Sequence, residues 1–95
     1  MTLIWSPEAL QDLRDIRAYI SQDDPKAAKA VVERIASLVR EQLPANPESG
    51  RAGRIPGTRE LVVSGTPFVI PYQVRNGDIV IYRVYHSSRM WPESF

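Results

Sequence analysis

The side chains able to do chemistry gather in the second half of the chain. His86 is the only imidazole, it follows Tyr85, and Arg51, Arg54, Arg59, Arg75, Arg83 and Arg89 are spread around that pair. An imidazole titrates near neutrality and suits the role of general acid or base. A guanidinium offers a planar fork that matches carboxylate or phosphate, and lysine does not replace it there. Each reading has an ordinary counterpart: the arginines as surface ion pairs worth about 0–1 kcal/mol, and His86 as a hydrogen-bonded contact residue. Glu60 follows Arg59 and is expected to hold Arg59 or Arg83 across the sheet. Near the end, Arg89-Met90-Trp91-Pro92 sets an arginine beside a tryptophan, the composition of an interface hot spot. Its counterpart is a terminal segment with Trp91 tucked back on the core.

Other chemistries are excluded. The chain has no cysteine and one histidine, which removes disulfides, thiolate catalysis and any Cys-based zinc site, so neither metal nor cofactor is expected. Net charge is +1, unevenly placed: residues 1–50 hold six Lys/Arg against eight Asp/Glu, and residues 51–95 six arginines against Glu60, Asp78 and Glu93. A basic second half suits an acidic partner but does not by itself indicate nucleic acid. No run of apolar residues is long enough to span a bilayer, and the N-terminus lacks the basic and apolar regions of a signal peptide; a cytoplasmic location is the expectation.

At 95 residues one domain with a modest core is expected. Thr2-Leu3-Ile4-Trp5 reads as a short strand. Ser6-Pro7-Glu8 then provides an N-cap, a proline at the first helical position and an acid in the first turn. Ala9, Leu10, Leu13, Ile16 and Ile20 follow at helical spacing, with Glu8, Gln11, Asp12, Arg14 and Asp15 on the wet side. Asp24-Pro25 repeats the start signal, and Ala28, Val31, Val32, Ile35, Leu38, Val39 and Leu43 continue the period for about five turns. So short a connection favours an antiparallel helical hairpin. Trp5, Tyr19 and both helix stripes are expected in the core. Pro44 and Pro47 end the helical pattern, and Ala45 to Gly57 reads as loop.

From Arg59 the period changes to two. Leu61-Val62-Val63, Phe68-Val69-Ile70 with Tyr72 to Arg75, and Ile79 to Tyr85 form a three-stranded antiparallel meander, turned by Ser64-Gly65-Thr66-Pro67 and by Asn76-Gly77. Pro71 cannot donate to a ladder, which places its strand at an edge or at a bulge. The pattern is α+β, with the helical hairpin packed on one face of a small, mainly antiparallel sheet. The other face is expected to stay open, and with the arginine-rich loops beside it to receive a partner. It lacks the paired stacking aromatics of an RNA-binding sheet.

Four segments in this order, W-S-P-E-A-L-Q-D-L-R-D-I from Trp5, G-T-R-E-L-V from Gly57, P-Y-Q-V from Pro71 and R-V-Y-H-S-S-R-M-W-P from Arg83, resemble the ParE/RelE superfamily of type II toxins over almost the whole chain. The resemblance implies a toxin neutralised by a cognate antitoxin whose acidic tail wraps this single domain in a hetero-oligomer. RelE-like members cut mRNA on the ribosome without metal, using lysines on the strand near Glu60, an arginine before the central tyrosine, and a cationic or imidazole group after the last strand. Aligned through Tyr72-Gln73-Val74, this chain has Glu60 and Val62 for the lysines, Val69 for the arginine and Ser87 at the late position, with His86 one residue off. The G-T-R-E-L-V and H-S-S-R-M-W-P segments are similar to ParE-like members, which inhibit DNA gyrase.

The resemblance therefore implies a gyrase poison with no catalytic residue of its own, since stalling an enzyme needs differential binding of one of its states rather than bond making. Arg59, His86, Arg89 and Trp91 are the expected contacts with target or antitoxin. Nucleic acid would be met only through the target or the toxin–antitoxin complex. The alternative is a ribosome-dependent mRNA endonuclease using Arg51, Arg54, Arg59, Tyr85 and His86. A third reading is an inactive homologue kept as binding partner or co-repressor.

Overall fold

The computed structural model describes all of residues 1–95. Strand β1 (Thr2–Trp5) is followed by α1 (Pro7–Ser21) and α2 (Pro25–Ala45), then β2 (Arg51–Ala52), β3 (Arg59–Val62), β4 (Phe68–Arg75), β5 (Asp78–Ile81) and β6 (Tyr85–His86). The helices begin where the capping residues direct. Ser6 Oγ accepts from the Ala9 amide at 3.0 Å, and Asp24 Oδ1 accepts from that of Ala27 at 3.1 Å, each satisfying an amide the helix cannot pair internally. α2 continues through Pro44, against the expected stop. A proline in the last turn forfeits one amide bond, and the Asn46 amide closes the helix on the Gln42 carbonyl at 2.8 Å.

The sheet order is β1-β5-β4-β3-β2, with β6 also on β4. β1 runs parallel to β5 and every other pair is antiparallel. The Asn76-Gly77 turn has φ of +51° and +81°, the pair of left-handed residues that a two-residue hairpin requires. Ala9, Ile35, Val39 and Leu43 from the helices meet Leu61, Val63, Ile70, Tyr72, Ile79, Ile81 and Val84 in one buried cluster. Trp5 packs against its margin. Tyr19 and Leu10 depart from the expected core and are 74% and 40% exposed. The buried stripe of α1 is centred on Ala9, Leu13 and Ile16, and Tyr19 lies on its flank.

The segment read as one strand from Ile79 to Tyr85 is broken. Tyr72 pairs with Ile81, yet Val69 pairs with Tyr85, so four steps on one side face three on β4. The extra residue is a bulge at Arg83-Val84, opposite Ile70-Pro71 of β4. Pro71 thus sits in the central strand next to a bulge. Its missing amide leaves the Tyr82 carbonyl free of a ladder partner, and the Ser6 hydroxyl donates to that carbonyl at 2.7 Å. The loop expected from Ala45 to Gly57 contains the short strand β2, which pairs Arg51 with Glu60.

Candidate functional site: an arginine–aromatic face of the sheet

Strand alternation sorts the candidate residues. On the helix side, Arg59 stands opposite Tyr72 and His86 opposite Phe68, about 13 Å apart along β4 at the usual rise per residue. On the other side lie Arg51 opposite Glu60, Glu60 opposite Pro71, and Tyr85 opposite Val69. Tyr85 and His86, neighbours in sequence, therefore face opposite ways. The set Arg51, Arg54, Arg59, Tyr85 and His86 is divided between two faces and does not form one constellation.

Glu60 organises the second face. Its carboxylate is 1% exposed, accepts from Arg51 Nε and Nη2 at 3.2 and 3.0 Å through Oε1, and accepts from the Arg54 amide at 2.8 Å through Oε2. Arg54 Nε lies 3.7 Å from the same Oε2. The expected partners, Arg59 and Arg83, are elsewhere. A carboxylate taken out of water must be paired, and the two arginines pay that penalty from half-exposed positions. β2 exists because this pairing closes the loop onto β3.

Arg83 instead reaches Asp12 on α1. Its Nε and Nη2 donate to Asp12 Oδ2 and Oδ1 at 2.8 and 2.9 Å, and the Val84 amide donates to Oδ2 at 2.9 Å. Asp12, expected on the wet side, is buried. The hydrogen bond with Asp12 raises the Arg83 pKa above its ordinary value, with burial working against it. This fork ties the helical hairpin to the bulge that swings Tyr85 onto the second face.

That face is covered rather than open. Tyr85 is 1% exposed; the guanidiniums of Arg83 and Arg89 lie 4.7 and 4.4 Å from its ring centroid, and the Trp91 ring meets it edge-on at 5.1 Å. Arg54 lies 4.2 Å over the Trp91 ring, and Phe95 stacks on Tyr82 at 4.9 Å. Tyr82 donates to Gln73 Oε1 at 2.7 Å. Aromatic pairs of this kind contribute about 0.5–1.5 kcal/mol beyond their buried area. Trp91 is thus half-buried against its own sheet, with Arg89 beside it and Met90 exposed. Its indole Nε1 is buried without an acceptor, a defect that costs about 1–3 kcal/mol. Phe95, Tyr82 and Asp12 were not singled out from the sequence; the aromatic content of the last strand and tail is the signal that pointed toward the first two.

The helix-side residues have separate surroundings. Arg59 Nη1 donates to the Glu48 and Gly50 carbonyls at 3.2 and 3.0 Å and clamps the loop after α2, beside a cleft of about 650 Å³. Tyr72 completes the clamp: its hydroxyl donates to the Pro47 carbonyl and accepts from the Gly50 amide, both at 2.8 Å. Gly50 is required there, since a Cβ would stand 2.6 Å from the Tyr72 ring. His86 packs edge-on against Phe68 at 5.9 Å and shares its Nδ1 with Ser88 Oγ at 2.7 Å. It lines an apolar cleft of about 490 Å³ with Ile16, Tyr19, Ile20, Val31 and Phe68.

The arrangement can bind and orient acidic groups through its arginines. It does not set a base, an acid and free cations around one phosphate. No group of His, Cys, Asp and Glu side chains is placed to hold a metal ion, and no helix is long and apolar enough to cross a membrane.

Comparison with known proteins agrees with this fold over at least nine-tenths of the chain. The chain is 46% identical over 89 residues to "Putative toxin Y4kP" of Sinorhizobium fredii, covering 94% of this chain and 91% of that one. It is 39% identical over 88 residues to Toxin RelE2 of Caulobacter vibrioides, covering 93% and 97%. Among solved structures, a chain of the chromosomal ParDE toxin–antitoxin system from P. aeruginosa superimposes with a TM-score of 0.80 at 33% identity, over 90% of this chain and 95% of that one. The family model for the ParE toxin of the type II toxin–antitoxin system parDE matches residues 3–91, and the chain belongs to that family of toxins.

Proposed function

We propose that this toxin acts by binding DNA gyrase and stalling it on DNA, in the cytoplasm where gyrase works, and that its cognate antitoxin neutralises it by occupying the same surface. One observation carries the reading: where a ribonuclease of this fold would present free cations to a phosphate, this chain has the buried Glu60 carboxylate, with Arg51 and Arg54 both engaged on it. A phosphodiester approaching that point meets a carboxylate, and Tyr85 on the same face is covered. Stalling needs no chemistry from the toxin, only tighter binding to one conformation of the target. The exposed faces of Arg51, Arg54 and Arg89 suit acidic protein surfaces. Arg59 and His86, about 13 Å apart along β4, serve separate contacts.

The test incubates purified toxin with gyrase, supercoiled plasmid and ATP, and scores cleaved DNA, with a ribosome-plus-mRNA reaction alongside. Gyrase-dependent breaks with intact mRNA are expected. The second reading, a ribosome-dependent endonuclease, is favoured by the name of the Caulobacter relative. Codon-positioned cuts with normal supercoiling would replace the gyrase reading by it.

A further inference from the structure

Two exposed side chains just after the last strand form a nucleophile–base pair that stalling a target does not require. Ser88 Oγ lies 2.7 Å from His86 Nδ1, and the Ser88 amide also donates to that nitrogen at 3.2 Å. An amide N–H can only donate, so Nδ1 carries a lone pair and the neutral ring has its proton on Nε2. The Ser88 hydroxyl is therefore the donor in the shorter contact, aimed at a base at the separation that nucleophile activation needs. The turn holding the pair is pinned at three points. The Arg89 amide closes on the His86 carbonyl at 3.0 Å, the Ser87 amide on the Pro67 carbonyl at 2.8 Å, and the imidazole packs edge-on against Phe68. Ser87 is exposed as well, but its hydroxyl is not paired with the ring.

His86 also lines the apolar cleft of about 490 Å³, which places the pair at its mouth. A cleft of this size and character is within the range that takes small apolar groups. Besides the imidazole, the titratable groups of its lining are Asp15 and Tyr19, and Asp15 accepts from Gln11 Nε2 at 2.9 Å. Arg89, next to Ser88 in sequence, is turned onto the Tyr85 ring. With that guanidinium turned away and apolar walls alongside, the surroundings suit an acyl donor better than a phosphoryl donor.

We propose that Ser88 is a covalent acylation site that takes an apolar acyl group from a thioester, with His86 as general base and the cleft as the pocket for the acyl chain. A thioester is the fitting donor for an exposed pair, because a thiolate leaves more readily than an alkoxide. Ser88 Oγ attacks the acyl carbonyl carbon as its proton passes to His86 Nδ1. The tetrahedral intermediate collapses, the carbon–sulfur bond breaks, and the imidazolium gives the proton to the leaving thiolate. The products are an O-acyl serine, a free thiol and the neutral imidazole. Burial of each further methylene in the cleft favours longer chains over acetyl. This inference concerns a modification of the toxin and holds whichever target the toxin poisons.

The experiment incubates the full chain with the hexanoyl thioester of N-acetylcysteamine. The chain has no cysteine, so every thiol released comes from the probe. Intact mass should rise by one hexanoyl group, digestion should locate it on Ser88, and hydroxylamine should remove it, as it removes an ester but not an amide on Lys26 or Lys29. Acylation of Ser88 should exceed that of Ser87 about a hundredfold, and His86→Ala should lose about that factor, with added imidazole restoring part of it. The acetyl thioester should react at least about tenfold more slowly. Ser88→Ala should abolish the hydroxylamine-sensitive adduct; both positions are exposed, and circular dichroism checks that each variant is folded. Should His86→Ala fail that check, His86→Phe replaces it, keeping a ring against Phe68 without the base. Equal labelling of Ser88 and Ser87, or labelling of Ser88 unchanged by loss of the imidazole, would overturn the nucleophile–base pair. Equal rates for acetyl and hexanoyl donors would overturn the cleft as acyl pocket. None of these readouts involves gyrase, ribosomes or growth, so the target assay is judged separately.

Discussion

Replacing Asp12 by alanine removes the acceptor of three hydrogen bonds at once, two from Arg83 and one from the Val84 amide, at 2.8 to 2.9 Å. Breaking one side of a buried ion pair costs about 3–5 kcal/mol, because the remaining charge is left uncompensated. The Arg83 side chain is 24% exposed and Asp12 10%, so water relieves part of the penalty and the low end, about 3 kcal/mol, applies. Against a total stability of about 5–15 kcal/mol for a domain, that is a large share. With a urea slope of about 1.5 kcal/mol/M for a small protein, the unfolding midpoint should fall by about 2 M. Asp12→Asn keeps an acceptor for Val84 and should lose roughly half as much. A double-mutant cycle with Arg83→Met should give a coupling of about 1.5–3 kcal/mol. Because the Arg83 pKa is raised, its contribution is complete below the ordinary arginine value and is lost only as pH rises through the raised one. The pair therefore contributes equally across the neutral range. A loss below about 1 kcal/mol, or additive single effects, would refute the claim that this fork anchors α1 to the bulge.

Two further substitutions test the local arguments. Tyr72→Phe deletes a buried hydroxyl that both donates to Pro47 and accepts from Gly50; urea unfolding should show a loss of about 1–3 kcal/mol, and amide exchange should accelerate first at residues 48 to 50. Ser6→Ala removes both the cap of α1 and the donor to the Tyr82 carbonyl that Pro71 cannot serve; a loss of about 1–2 kcal/mol is expected in thermal unfolding, above what a cap alone usually gives. A loss equal to that of an ordinary cap would mean that the Tyr82 carbonyl is served by water.

The elements were legible because their signals are local. Ser6-Pro7-Glu8, Asp24-Pro25 and Asn76-Gly77 act within a few residues, and the two helices and the β4–β5 hairpin begin and turn there. What was not legible depends on partners far away in sequence. Asp12 is polar at a position of α1 that looks wet, and it is buried because Arg83, 71 residues later, arrives to meet it. Tyr19 adjoins the stripe in sequence but lies on its flank, at the rim of the cleft it lines with Phe68 and His86, and is exposed there. Glu60 was expected to hold Arg59 or Arg83, yet its partners come from β2, a strand too short to register as one, and from the turn after it. The bulge, too, could be expected from Pro71 only as a possibility of the strand, while its place was set by where β5 stops.

For the candidate site the period-two rule was the information left unused. Arg59 with Glu60, and Tyr85 with His86, are sequence neighbours on strands, and neighbours on a strand point to opposite faces. A reaction needing Arg59, Tyr85 and His86 around one phosphate therefore conflicts with the strand assignment itself, whatever the identities of the residues. The same rule groups Glu60 and Arg51 with Tyr85, and it puts the buried Glu60 carboxylate on the face that a ribonuclease would need cationic. A lysine at position 60 would not restore such a site, because Arg51 and Arg54 would then face a buried like charge and the loop carrying them would lose its anchor.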